Sequence, residues 1–295
     1  MIYFVITLVT FLVISFTLFL VTLHLGFRAP RTRETSTPES LNISFHEVSI
    51  PTVRNKQLYG WLLPVNKSKE TLIILHGWGG NAELMLPIAE PFYKSGINVL
   101  LIDARGHGNS DSDTFASLPR FAEDLGSSID WLKKHHAERT EKIAVLGHSV
   151  GAGAVLFEAS RREDIHAVIS ISAFAHPEWM MQRFLQSIHL RGVRLPKVLI
   201  HLIMHYVEWV IGHSFSTIAP LKTVCKIDTP ILIVHGKDDS TVPIDDARAI
   251  LDNCPEPHIS LLEIDDAGHD SVDKIELHAE KLIDFLRDSG FRVNR

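Results

Sequence analysis

The chain has 295 residues, 45% hydrophobic and 22% charged, with 17 glycines and 14 prolines. That balance excludes collagen-like, low-complexity and largely disordered chains and leaves room for one large α/β domain. Two cysteines, Cys225 and Cys254, are too few for a disulfide framework and lack CxxC spacing. With Arg28, Arg31 and Arg33 set aside, 26 basic residues face 35 acidic ones, a net charge of −9 that argues against a nucleic-acid partner.

Residues 1–27 contain no Asp, Glu, Lys or Arg and are mostly Ile, Val, Leu and Phe. About 20 apolar helical residues cross a bilayer core, so this stretch reads as a transmembrane anchor. A cleaved signal peptide fits less well: no Lys or Arg precedes the run, the run is long, and no A-x-A site follows it. Arg28, Arg31 and Arg33 directly after the span predict a single-pass membrane protein with its C-terminal bulk in the cytoplasm. Residues 28–43 read as a polar linker and 44–295 as the folded domain. Asn42 and Asn66 open glycosylation patterns that a cytoplasmic domain would not use.

From Ser44 onward, strands come first and then alternate with helices. Phe45–Val53 and Gln57–Val65 are β-rich and separated by Arg54-Asn55-Lys56, an opening hairpin. Continuous apolar runs at Thr71–Leu75, Ile97–Ile102, Ile143–Leu146, Ala167–Ile171, Ile231–Val234 and Ile259–Ile264 suggest strands buried on both faces. Phe121, Leu125, Ile129 and Leu132 form one helical stripe. Val272, Ile275, Ala279, Leu282, Ile283 and Leu286 form another in a closing helix. The alternation implies a mostly parallel sheet with helices on both faces. Residues 174–218 break the rhythm and read as an inserted helical cap.

Gly147-His148-Ser149-Val150-Gly151 follows an apolar run and opens a helical stretch. A G-x-S-x-G nucleophile needs that setting, because its serine sits on a sharp strand-to-helix turn. His76-Gly77-Trp78-Gly79-Gly80 follows another strand, where a glycine-rich turn can present backbone N–H groups. Asp238 and Asp239 lie just after the run Ile231–Val234, and His269 lies between the next run and the last helix. Position alone leaves either aspartate open.

On these residues the chain resembles the α/β-hydrolase superfamily, and more closely its monoacylglycerol lipase, lysophospholipase and serine-aminopeptidase-like group. The resemblance covers about residues 55–285. It rests on HGWGG at 76–80, DARGHGNSD at 103–111, GHSVG at 147–151, HGKDDSTVP at 235–243 and AGH at 267–269. It implies an α/β-hydrolase fold: a mostly parallel eight-stranded sheet with a small helical cap after the sixth strand. It implies Ser149 as nucleophile, His269 as general base and Asp239, in preference to Asp238, as the orienting acid. The oxyanion hole would be the backbone N–H groups of Trp78 and Val150. Asp103, Arg105 and Ser110 fall in a loop read as bracing. No cofactor is implied.

The cap is unusually apolar, with Met180, Met181, Phe184, Leu199, Leu202, Ile203, Val207, Trp209 and Val210. Packing over the sheet accounts for these residues as well as substrate contact does. Trp78, His148, Met181 and Phe184 are the candidate substrate-binding residues. An apolar pocket favours acyl groups, and an apolar outer face would suit a bilayer. His201, His205 and Glu208 have helical spacing but no HExxH pattern, and read as a polar stripe without a metal.

The expected activity is therefore a membrane-anchored serine hydrolase cleaving lipophilic carboxylic esters. Peptidase, amidase or thioesterase chemistry on the same fold is the enzymatic rival, with Glu178 and Glu208 the obvious cap acids for an aminopeptidase. A non-catalytic scaffold is the rival of another class. If His269 is the base, kcat/KM should fall on acidification through the ordinary histidine range, about 6–7. A flat profile from pH 5 to 8 would remove it from that role.

Overall fold

Alternating side chains of the apolar runs face two separate cores, one on each side of a single sheet. The computed structural model describes residues 2–187, 189–190 and 193–294. Strands β1 (His46–Thr52) and β2 (Lys56–Leu63) pair antiparallel across a turn in which Arg54 and Asn55 take φ of 61° and 57°. The remaining strands are β3 (Glu70–Leu75), β4 (Asn98–Ile102), β5 (Lys142–His148), β6 (Ala167–Ile171), β7 (Ile231–Gly236) and β8 (Ile259–Ile264). They complete an eight-stranded sheet in the order β1-β2-β4-β3-β5-β6-β7-β8, parallel from β3 through β8. Strands β3, β4, β6 and β7 are buried at every position, as continuous apolar runs require. In β3, Ile73 and Leu75 join one core while Leu72 and Ile74 join the other.

Helix α1 (Ile2–Gly26) is, among the described residues, the one helix long and apolar enough to cross a membrane. Helices α2 (Leu86–Lys94), α3 (Leu118–His135) and α4 (Val150–Ala159) connect the central strands. All four residues of the α3 stripe are fully buried. Between β6 and β7 lie α5 (Pro177–Ser187), a two-residue-per-strand hairpin (His189–Leu190 with Val193–Arg194), α6 (Lys197–Ile211), α7 (Phe215–Ile218) and α8 (Pro220–Thr223). Residues 188, 191 and 192 of this insertion lie outside the described residues. The chain ends with α9 (Ile244–Asn253), α10 (Val272–Glu276) and α11 (Ala279–Asp288).

Two expectations change. The closing stripe is divided between α10 and α11 instead of forming one helix. Ile275, Ala279, Leu282 and Leu286 stay inward across the break, while Leu277, off the stripe, is exposed at it; the side chain of Val272 lies outside the described residues. The stretch read as a polar linker also lies against the domain, with Pro38 and Ile43 buried and Arg28 Nε donating to the Thr114 carbonyl at 3.1 Å.

The loop after β4 is held by a buried ion cluster. Arg105 Nε donates to Asp124 Oδ1 and its Nη2 to Glu123 Oε2, both at 2.6 Å, and its backbone N–H reaches Asp124 Oδ2 at 2.8 Å. Burial raises the Asp124 pKa to about 6 even with Arg105 pulling it down. Removing one partner of such a pair strands the other. Arg105→Ala is therefore expected to cost about 3 kcal/mol in denaturant unfolding, and a loss below about 1 kcal/mol would contradict this account of the loop.

Candidate active site

Ser149 stands between β5 and α4 with φ 55° and ψ −115°, a region that L-residues rarely occupy. The turn is tight on both sides. A methyl group at Gly147 would lie 2.2 Å from the Gly151 carbonyl oxygen, and one at Gly151 would lie 2.4 Å from that of His76. Only glycine lets these backbones meet, and the meeting lifts the serine side chain above the carboxyl ends of the strands. Ser149 also caps α4, whose N-terminus contributes partial positive charge beneath the hydroxyl.

Two loops bring the other groups to it. The loops after β7 and β8 are in backbone contact: a methyl at Gly236 would lie 2.2 Å from the Ala267 carbonyl oxygen, and the Asp238 N–H donates to that oxygen at 3.0 Å. His269 Nδ1 then lies 2.7 Å from Asp239 Oδ2, and His269 Nε2 lies 2.9 Å from Ser149 Oγ. An ionised carboxylate only accepts, so Nδ1 carries the proton and Nε2 is free to accept the serine hydroxyl. Asp239 Oδ1 accepts the Thr241 and Val242 N–H groups at 2.9 and 2.7 Å. Burial opposes the charge on Asp239, but hydrogen bonds from His235, His269 and the Val242 amide outweigh it and hold the carboxyl well below its usual range. Asp238 is exposed and Asp239 buried, and of the two carboxyls it is Asp239 that meets His269.

The glycine turn after β3 is fixed by His76. This ring is buried, its pKa pushed by burial down to about 3, so it is neutral. Its Nδ1 donates to the Gly77 carbonyl at 2.6 Å and its Nε2 accepts the Ala104 N–H at 3.0 Å. Gly77 meanwhile abuts the nucleophile, since a methyl there would lie 3.2 Å from Ser149 Cβ. The backbone N–H groups of Trp78 and Val150 have no hydrogen-bond partner among the described residues and flank this point.

His148 is buried, and its Nε2 donates to the His269 carbonyl at 2.8 Å. It thus holds the histidine loop instead of lining an open pocket. Trp78 is 41% exposed, with its ring edge-to-face on His107. Phe184 is exposed on α5, and Met181 packs partly against the core. His235 was missed by the sequence reading; its Nε2 donates to the Val242 carbonyl at 2.8 Å and lies 3.4 Å from Asp239 Oδ2. Of the cap residues with metal-like spacing, Glu208 accepts the Phe215 N–H at 2.7 Å and so secures the start of α7. His148, His269 and Asp270 bring ligand atoms within 4.8 Å of one another, but both histidines are already engaged in the contacts above.

Residues 66–208 match the family model described as serine aminopeptidase, S33. The esterase Pf2001 of Pyrococcus furiosus superposes with a TM-score of 0.72 at 25% identity, covering 88% of this chain and 98% of that one. The chain has the α/β-hydrolase fold. Est1E of Butyrivibrio proteoclasticus, solved with ferulic acid bound, shares the fold at a TM-score of 0.62 and 21% identity, over 80% of this chain and 97% of its own. An uncharacterized membrane protein of Saccharomyces cerevisiae is 23% identical over 256 residues, 86% of this chain and 84% of the yeast chain. A polyketide transferase of a Penicillium species is 28% identical over 156 residues, about half of each chain.

Gly77→Ala tests the geometry without replacing a titratable group. Its methyl would sit 2.9 Å from His148 Nδ1 as well as against Ser149. Displacements below 1 Å at a reacting centre are costly, so esterase turnover should fall about tenfold or more in a protein that still folds. Unchanged turnover would show that the turn does not constrain Ser149.

Proposed function

We propose that the chain is a membrane-anchored serine esterase that cleaves lipophilic carboxylic esters through an acyl-enzyme. The observation that carries this reading is the relay of Ser149, His269 and Asp239 at 2.9 and 2.7 Å. A free serine hydroxyl is a weak nucleophile at neutral pH. As Ser149 Oγ attacks the ester carbonyl carbon, His269 Nε2 takes its proton, and Asp239 stabilises the imidazolium that forms. The Trp78 and Val150 N–H groups receive the developing oxyanion, each donor being worth about 3 kcal/mol of barrier. The imidazolium returns the proton to the departing alkoxide. Water, activated by the same His269, then releases the acid.

The membrane part of the reading is supported by α1, by Arg28, Arg31 and Arg33 behind it, and by the yeast relative's description as a membrane protein. The lipophilic part is supported by a short tether. Pro30 covers Gly79, beside the oxyanion donor Trp78, and it lies only four residues beyond the end of α1 at Gly26. Four residues span at most about 14 Å, so the site stands at the height of the lipid headgroups. Trp179, Phe184, Leu202 and Trp209 expose apolar surface on the cap, which suits the same setting. Aminopeptidase use is disfavoured: Glu208 is committed to Phe215, and Glu178 bonds Gln182 in a cavity that Lys197 also lines, where a substrate ammonium would be repelled.

The test is fluorophosphonate labelling of full-length protein in detergent, followed by hydrolysis of p-nitrophenyl esters of increasing chain length. Wild type should label, Ser149→Ala should not, and esters of eight carbons or more should be cleaved faster than acetate. Labelling that survives Ser149→Ala would overturn the nucleophile, and a preference for acetate would overturn the lipophilic substrate.

A further inference from the structure

Residues 27–35 leave the apolar helix and run over the two loops that frame the oxyanion turn. Arg28 Nε donates to the Thr114 carbonyl at 3.1 Å. Arg31 reaches the Gly106 carbonyl at 3.5 Å through Nε and the Ser110 carbonyl through Nη2. The Thr32 carbonyl accepts from Asn81 Nδ2 at 3.2 Å. Thr35 donates twice to the Glu83 carboxylate, through its N–H at 2.7 Å and its hydroxyl at 3.0 Å. Pro30 closes over Gly79, where a methyl would come within 3.1 Å of its ring. At the centre the Glu34 carboxyl accepts from Asn109 Nδ2, and its Oε1 stands beside Asp103 Oδ2: a methyl at Gly108 would lie 2.0 Å from the Asp103 oxygen and 2.5 Å from the Glu34 oxygen. Asp103 in turn accepts the Ala82 and Asn109 N–H groups, each at 2.8 Å, and so joins the end of the glycine turn to the loop after β4.

We propose that residues 27–35 are a strap that positions the Trp78–Gly79 turn for catalysis, with the Glu34–Asp103 carboxyl pair as its fastening. The assignment rests on the oxyanion role of Trp78 proposed above. Glu34 and Asp103 are positioning residues: neither touches the reacting atoms.

Two carboxyl groups set side by side attract each other only while a proton is shared between them. Burial first, and the neighbouring Glu34 second, push the Asp103 pKa up to about 8. The proton belongs to the docked strap, so its contribution is full at low pH and is lost as pH rises through about 8. Beyond that point two buried negative charges face each other and the strap loosens. The charged and titratable groups around the pair are Arg31 on the strap, His76 on the turn, His107 and Asp111 on the β4 loop, Tyr59 on β2 and Glu83 before α2. Burial holds His76 and His107 near 3 and 4, and Tyr59 lies above the range tested, so none of these three titrates near 8.

The test uses the full-length protein in detergent, with p-nitrophenyl octanoate as substrate from pH 6 to 9.5. Glu34→Ala should lower kcat about tenfold with KM within about twofold of wild type, as a misplaced oxyanion donor predicts. Wild-type kcat should fall above about pH 8, whereas Glu34→Gln, whose amide bonds Asp103 and Asn109 without titrating, should keep its kcat through that range. If Glu34→Ala folds poorly, Arg31→Ala, which removes two contacts to the same loop, should show the same loss of kcat. Wild-type kcat in Glu34→Ala, or an alkaline fall that persists in Glu34→Gln, overturns the strap. Loss of hydrolysis in Ser149→Ala within the same series leaves the esterase reading standing; survival of hydrolysis there overturns both.

Discussion

The backbone of Ser149 is held in a conformation that costs of order 1–3 kcal/mol, and the fold must supply that energy from packing on either side. Gly147 and Gly151 make the supply possible by letting β5, α4 and the end of β3 approach to distances at which any side chain would collide. The same approach delivers the Gly77–Trp78 turn to the serine, because β3 and β5 are neighbours and His76 follows directly from β3. The strained turn and the proposed oxyanion turn are therefore two ends of one close contact. A parallel sheet with its carboxyl ends in register creates that contact, and β7 and β8 bring the acid and the histidine to the same edge.

Neutral histidines fix the geometry around His269, the proposed general base. His76 and His148 are buried, and burial lowers both their pKa values. A neutral imidazole offers one donor and one acceptor, and each ring spends its donor on a backbone carbonyl of a catalytic loop, Gly77 for His76 and His269 for His148. Neutrality matters for His148 in particular. Its ring centroid is 5.3 Å from that of His269, and a second positive charge there would oppose the imidazolium by about 3 kcal/mol at an effective dielectric of 20. Burial supplies a rigid donor close to the site without adding charge to it.

The fold was readable from the chain because central strands buried on both faces are built of apolar runs, and five of the six runs lie in such strands, whereas Ile259–Ile264 forms the edge strand β8 with Ser260 exposed. Ser149 was readable because a strained strand-to-helix turn demands glycines at fixed offsets. Asp239 was not separable from Asp238 by position, since the choice depends on which carboxyl the turn buries under the Thr241 and Val242 amides. The support given by His148 to His269 spans 121 residues and leaves no local pattern. The run TRETSTPES has the composition of a free linker. The docking of residues 27–35 uses backbone carbonyls, the Pro30 ring and the carboxyls of Glu34 and Asp103, none of which produces a periodicity. In the closing helices the stripe was legible and the break was not, because the inward residues keep step across it.

A polar segment of this kind normally stays solvated, since ordering it costs about 1–2 kcal/mol per residue in backbone freedom. Here the apolar helix changes the balance. Leu23 and Phe27 pack against the core and His24 meets Phe115 edge-on, so the first turn after the helix is already ordered before the polar contacts form. Each later contact then closes a short loop, which costs little further entropy. The tether is thereby stiff as well as short. A flexible linker would let the catalytic face turn away from the bilayer surface, whereas an ordered strap fixes the Trp78 side of the domain toward the end of α1. The polar contacts that hold the domain to its helix are thus the same ones that border the Trp78–Gly79 turn, so that, on the proposed reading, orientation at a membrane and geometry at Ser149 follow from one docked segment.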